Sequence, residues 1–193
     1  MFETKGQLKE AVNLYCENRE ECIKEYGEPN SWDVSKITDM SFMFWYNEFN
    51  GDISNWDVSK VNDMRCMFTN SKFNGDISKW DVSNVNNMSF MFSRSKFNGE
   101  ISNWNVSNVN NMSEMFSESE FKGNISDWNV SNVTLMSNMF DGSKFNGDIS
   151  NWDISNVKYG REEIMKLMNK QKAMPKIIEV IQEGLKECPI TGD

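Results

Sequence analysis

At 193 residues and 22.4 kDa the chain has the size of one compact domain with room for a buried core, and two large domains are not expected. Its 20 basic and 29 acidic side chains leave a net charge of −9, which gives nucleic-acid phosphate or anionic lipid no basic surface to grip. Histidine is absent, which removes Ser-His-Asp triads, Cys-His dyads, His-ligated zinc and histidine pH switching together.

In chain order, Met1-Phe2-Glu3-Thr4-Lys5 does not open a secretory signal, and no apolar run reaches the roughly 18 residues of a membrane span. No nucleic-acid partner and no membrane insertion are expected, and a cytoplasmic or virion-associated location is favoured over secretion. Thr4-x-x-Gln7 is a capping box that starts a helix, and Leu8, Ala11, Val12, Tyr15, Cys22, Ile23 and Tyr26 continue its apolar stripe up to Gly27. Residues 1–31 are therefore expected to form an N-terminal helical cap.

From residue 32 the chain repeats. Trp32, Trp56, Trp80, Trp104, Trp128 and Trp152 lie 24 residues apart without insertion or deletion, and Phe, Gly, Met, Ile and Val columns keep the same period. Asn-Gly at 50–51, 74–75 and onward marks turns, with glycine supplying the positive φ that turns often need. Trp56 and Val58, two apart, predict a strand that buries them and turns Asn55, Asp57 and Ser59 outward. After Ser59, apolar residues at +2, +5, +8 and +9 predict a short helix or helical turn through Phe68 with Ser59 as its N-cap. Such units cannot bury their apolar sides alone, so residues 32–157 are expected to stack. The predicted fold is an α/β solenoid: leucine-rich-repeat-like coils of strand and short helix, a parallel sheet, and helical caps at both ends. At the far end, Ile164, Met165, Leu167 and Met168, then Ile177, Ile178, Ile181 and Leu185, predict two helices divided at Pro175, so that residues 158–193 form the second cap.

The unit Phe73-Asn74-Gly75-Asp76-Ile77-Ser78-Lys79-Trp80-Asp81-Val82-Ser83-Asn84-Val85, followed by Met88, Met91 and Phe92, resembles the BspA-like bacterial surface protein repeats of the leucine-rich repeat superfamily. The flanks look most like members from large DNA viruses and protists. The resemblance implies an adhesion or protein-interaction module without enzymatic activity or cofactor. Ile53, Trp56 and Val58 fit the three apolar places of the leucine-rich pattern, but Val61 stands where its asparagine ladder belongs.

Candidate chemistry is sparse. The columns Asp33, Asp57, Asp81, Asn105, Asn129, Asp153 and Asp52, Asp76, Glu100, Asn124, Asp148 could in principle hold calcium. Asparagine interrupts both, and hydrogen bonding within turns is the preferred reading, with no metal site. Repeated carboxylates share like environments, whereas glycoside hydrolysis needs an unlike pair, so no catalytic residue is assigned. Cys16, Cys22, Cys66 and Cys188 are aperiodic and are read as reduced thiols, with Cys66 in an exposed column. A partner, protein or other macromolecule, is expected on the outward strand positions: Asn55, Asp57, Lys79, Asp81, Asn103, Asn105, Asp127 and Asn129. The largest break in the repeat, Trp45-Tyr46, is either a second anchor for a partner or, as preferred, a pair of rings packed beneath the N-terminal helix. The runner-up function is a structural subunit of a larger assembly such as a virus particle.

Overall fold

A computed structural model describes the backbone of residues 1–186 and the side-chain burial of residues 1–173. Two helices open the chain, α1 (Lys5–Glu17) and α2 (Arg19–Tyr26), and a short 3₁₀ turn, Pro29–Ser31, leads into the repeats. The Thr4–Gln7 capping box is present in full. The single apolar stripe expected up to Gly27 is broken at Asn18, whose side chain accepts from the amide of Glu21 and so starts a second helix.

We number the coils from their tryptophans, the first from Trp32 and the fifth from Trp128; the sixth is only begun at Trp152. Their core is the one the period predicts. The Trp column, the two Phe columns and the paired Met columns are buried through the stack, Phe140 and Phe145 excepted. Phe44, Phe68, Phe92, Phe116 and Phe140 lie ring on ring at 5.1, 5.5, 5.7 and 5.8 Å. Trp56 and Trp80 are parallel to within 3°. From Trp80 on, the indole N–H groups of the column donate to carbonyls 27 residues earlier: Trp80 to Ile53, Trp104 to Ile77 and Trp128 to Ile101, each at 3.1 Å.

The α/β solenoid is not what these residues build. No β-strand and no sheet form among the described residues; the coils touch through isolated parallel bridges, Asp39 to Asp63, Asp63 to Asn87 and onward to Tyr159. Nor does Ser59 cap a helix: residues 59–70 are a run of turns. The reason is backbone conformation. Cys66 and Asn70 both sit at positive φ, 54° and 52°, and the same two places recur in the left-handed region as Phe42 and Tyr46, Phe90 and Arg94, Glu114 and Glu118. A left-handed residue every fourth position forbids both a helix and a continuous extended run. Alternate amides, those of Met64, Cys66, Phe68 and Asn70, donate to Asn87, Ser89, Met91 and Ser93 of the next coil, while those of Met67, Thr69 and Ser71 close local turns.

Glycine acts here by close approach. None of Gly51, Gly75, Gly99, Gly123 and Gly147 has positive φ. Instead the Phe ring two residues earlier lies over each one, so that a Cβ at Gly75 would stand 2.9 Å from the Phe73 ring. Gly160 is the reverse case, with φ +84° and its backbone so near the fifth coil that a Cβ would meet Met136 at 2.4 Å. There the chain leaves the stack for α3 (Arg161–Lys186), one unbroken helix through Pro175 in place of the two expected. A proline removes a single backbone donor, which a helix of 26 residues can spare.

Both ends are covered by helices. Leu8, Ala11 and Val12 of α1 and Cys22 of α2 are buried at the first coil, where Lys5 Nζ holds Asp39 at 3.0 Å and Lys9 Nζ donates to the carbonyl of Met43. At the fifth coil α3 buries Ile164 and Met168, and Glu163 accepts from the amide of Asn138 at 2.8 Å.

Candidate interaction surface

Each coil presents two different corners. On the first, Asn55, Lys79, Asn103 and Asp127 are exposed, as expected, but they stand on turns closed from Trp56 to Ile53, Trp80 to Ile77, Trp104 to Ile101 and Trp128 to Ile125. There is no strand face here. Asp57, Asp81, Asn105 and Asn129 are exposed as well, with acceptors taken up by their own turns: Asp57 Oδ1 accepts from the amide and hydroxyl of Ser59 at 3.1 and 2.6 Å, and Asn105 and Asn129 repeat this at Ser107 and Ser131. Asp81 accepts from the amide of Ser83 at 3.0 Å. Asp52, Asp76, Asn124 and Asp148 cap the turn before each Trp in the same way.

These bonds favour the ionised carboxyl. The hydroxyl and amide of Ser59 pull Asp57 below the usual aspartate range, and Ser35 does the same for Asp33. At Asp76, Asp148 and Asp153 the amide two residues on is the leading cause. Burial pushes Asp39 up, but Ser41 and Lys5 together bring it below its ordinary value. The acidic columns are thus the acceptors of repeated turns. No group of three or more metal-ligating side chains forms among the described residues.

Asparagine also forms a ladder the sequence reading missed. Asn84, Asn108, Asn132 and Asn156 each donate through Nδ2 to the carbonyl of Ser59, Ser83, Ser107 and Ser131, at 2.6 to 2.8 Å. The ladder stands directly after the serine column, one place before the valine column.

The second corner is the left-handed one. Trp45 and Tyr46 are not packed beneath the N-terminal helix: they are 48% and 57% exposed, and Phe42 beside them is 42% exposed. Left-handed backbone at Phe42 and Tyr46 throws these side chains outward, while α1 is held on the other side of the same segment by Lys5, Lys9 and Tyr15. The rings touch each other, Phe42 to Trp45 at 6.2 Å and Trp45 to Tyr46 at 4.8 Å. The Arg65 guanidinium lies 5.8 Å from the Phe42 ring. Further along, Arg94 meets Glu118 at 2.8 Å, which raises the guanidinium pKa still higher. Cys66, half-buried in this corner, is a free thiol, as are exposed Cys16 and buried Cys22; Cys188 lies outside the described residues.

A largely apolar cleft of about 350 Å³ lies between the fifth coil and α3, lined by Phe140, Phe145, Ile164 and Leu167 together with the carboxylates of Asp141 and Glu163. Glu163 is occupied by the amide of Asn138, and no serine, cysteine, threonine or lysine lines the cleft. No helix among these residues is long and apolar enough to cross a membrane.

Comparison with known proteins finds no match among curated proteins and none among solved structures. One family matches twice, over residues 13–120 and 93–173, which together take in all but the two ends of the chain. The chain belongs to that family, DUF285, described as Mycoplasma protein of unknown function.

Proposed function

We propose that the chain is a non-catalytic interaction module that takes a macromolecular partner on its left-handed corner, at Phe42, Trp45 and Tyr46. The observation that carries this reading is three adjoining aromatic rings in solvent, on a chain that keeps its Trp and Phe columns in the core. Trp, Tyr and Arg dominate binding hot spots, and the Arg65 guanidinium lies against the Phe42 ring. The opposite corner offers small polar groups whose acceptors are already used by their own turns. Absence of catalysis accords with the same repetition, since the carboxylates stand in like settings. The likeness of the repeat unit to BspA-like surface repeats agrees with an interaction role.

The test is retention of partners by immobilised protein. The double variant Trp45→Ser with Tyr46→Ser is expected to lose what the wild type retains, while Lys79→Glu with Asp127→Lys retains it. The opposite pattern would return the partner to the Asn55, Lys79, Asn103 and Asp127 corner.

A further inference from the structure

One interface joins each coil to the next. Alternate amides of the left-handed corner donate forward, those of Phe92 and Arg94 to the carbonyls of Met115 and Ser117, and those of Phe116 and Glu118 to Met139 and Asp141. The Phe116 ring meanwhile lies on the Phe140 ring at 5.8 Å. At the fifth coil this interface is only half made. The amide of Met136 still reaches Tyr159, but at Gly160 the chain turns away into α3, and the amide of Asn138 is met by the Glu163 side chain in place of a coil carbonyl. The next two donors in the series, the amides of Phe140 and Gly142, have no hydrogen-bond partner among the described residues. Beside them lies the cleft of about 350 Å³ between the fifth coil and α3. Its rings, Phe140 and Phe145, are only half-buried, unlike their counterparts in the four coils before.

We propose that this cleft binds an extended peptide segment of a partner protein, laid along the fifth coil where a sixth would continue the stack. What each inner coil receives at the same place defines the segment. It supplies two carbonyls, two residues apart, to the amides of Phe140 and Gly142, and between them an aromatic side chain whose ring stacks on Phe140. Open backbone donors beside an apolar cleft work as strand-addition sites do: main-chain bonds hold the segment and the pocket selects its side chain. The segment is also basic. Asp141 and Glu163 line the cleft, and residues 113–118 and 137–142 of the corner carry Glu114, Glu118 and Asp141 and no base, against Arg65 and Arg94 over the second and third coils. Met91-Phe92-Ser93-Arg94-Ser95-Lys96 of this chain meets each demand, and inside the stack its Met91 and Ser93 carbonyls take the amides of Phe68 and Asn70 in this way. The site is separate from the Phe42, Trp45 and Tyr46 corner and does not depend on it.

An end-blocked, fluorescein-labelled peptide of that six-residue sequence is the probe, titrated with the full chain and followed by anisotropy. Wild type should bind it, and should bind the same peptide carrying Phe92→Ala about tenfold or more weakly. Leu167→Trp in the protein, which fills the cleft, should weaken binding by about tenfold, and Asp141→Lys, an exposed change that spares the core, by about threefold or more. Bound peptide should also slow hydrogen exchange at the amides of Phe140 and Gly142, which attraction to the acidic corner alone would not do. No binding at millimolar peptide, equal binding of the Phe92→Ala peptide, binding that survives Leu167→Trp, or unchanged exchange at the two amides would overturn the proposal. So would exchange that slows when protein concentration alone is raised, since a second copy would then be the occupant. Binding lost with Trp45→Ser and Tyr46→Ser would overturn it too, by seating the peptide on the aromatic corner.

Discussion

A single aspartate column shows how a residue here is selected by its oxygen and not by its charge. Asp33, Asp57, Asp81 and Asp153 do with a carboxylate what Asn105 and Asn129 do with a carboxamide, accepting the amide two residues on. Asp57→Asn keeps the acceptor and should therefore cost little at neutral pH, while Asp57→Ala, which removes it, should cost about 1 kcal/mol in urea melts. The charged form adds a contribution that is present at neutral pH and lost in acid. Because the folded-state values of Asp57, Asp33, Asp76, Asp148 and Asp153 are depressed, the unfolded chain binds more protons in the window below its own value, about 3.9. The stability they contribute is complete above that window and lost as pH falls through the folded-state values. Midpoints measured from pH 5 down to pH 2 should fall, and Asp57→Asn should flatten the fall. The serine column offers a second comparison: Ser71 and Ser95 accept from the amides of Phe73 and Phe97, but the buried hydroxyl of Ser119 has no partner. Ser119→Ala should raise stability by about 0.5 to 1 kcal/mol and Ser71→Ala lower it by a similar amount, both read from urea midpoints.

At the scale of the coil, the element is a chain of turns, and its core and its backbone differ in how far the amino-acid order announces them. The Trp, Phe and Met columns were legible because burial in a stack demands the same large side chain at the same place each time. Trp80→Ala should cost about 3 to 5 kcal/mol, since it empties part of a ring column and removes one of the two donors at the Ile53 carbonyl. The turns were not legible. Met64 and Met67 are three apart because a hydrogen bond closes the turn between them, not because they share a helix face, and the spacing is the same in either case. The left-handed places carry Phe, Cys, Glu, Asn, Arg and Tyr, and glycine only once, at Gly142, so residue type does not announce them. Glycine was instead read as a source of positive φ where its role is to let a Phe ring fold over it. Gly75→Ala should accordingly cost about 1 to 3 kcal/mol through displacement of the buried Phe73 ring, and the same change at exposed Gly6, where a Cβ meets nothing nearer than 3.8 Å, should be mild. A drop at Gly6 equal to that at Gly75 would mean that chain flexibility and not the ring contact decides.

For the molecule as a whole, the stack is covered at both ends by helices, and apart from the cleft beside α3 its sides are the surfaces open to a partner. Of these, one corner is regular, small and polar, and the other is graded from aromatic and basic to small and acidic. The polar corner could be found from the sequence because it alternates with buried positions. The graded one was half visible, since Trp45-Tyr46 broke the repeat, but whether the rings pointed in or out depended on left-handed backbone that their own residue types do not signal. Retention of partners by immobilised protein, compared across variants of the two corners, tests the contact surface most directly. Trp45→Ser with Tyr46→Ser should lose the partner that wild type retains, and Lys79→Glu with Asp127→Lys should keep it. Loss in the second variant alone, with the aromatic corner indifferent to substitution, would contradict the aromatic corner as the contact surface.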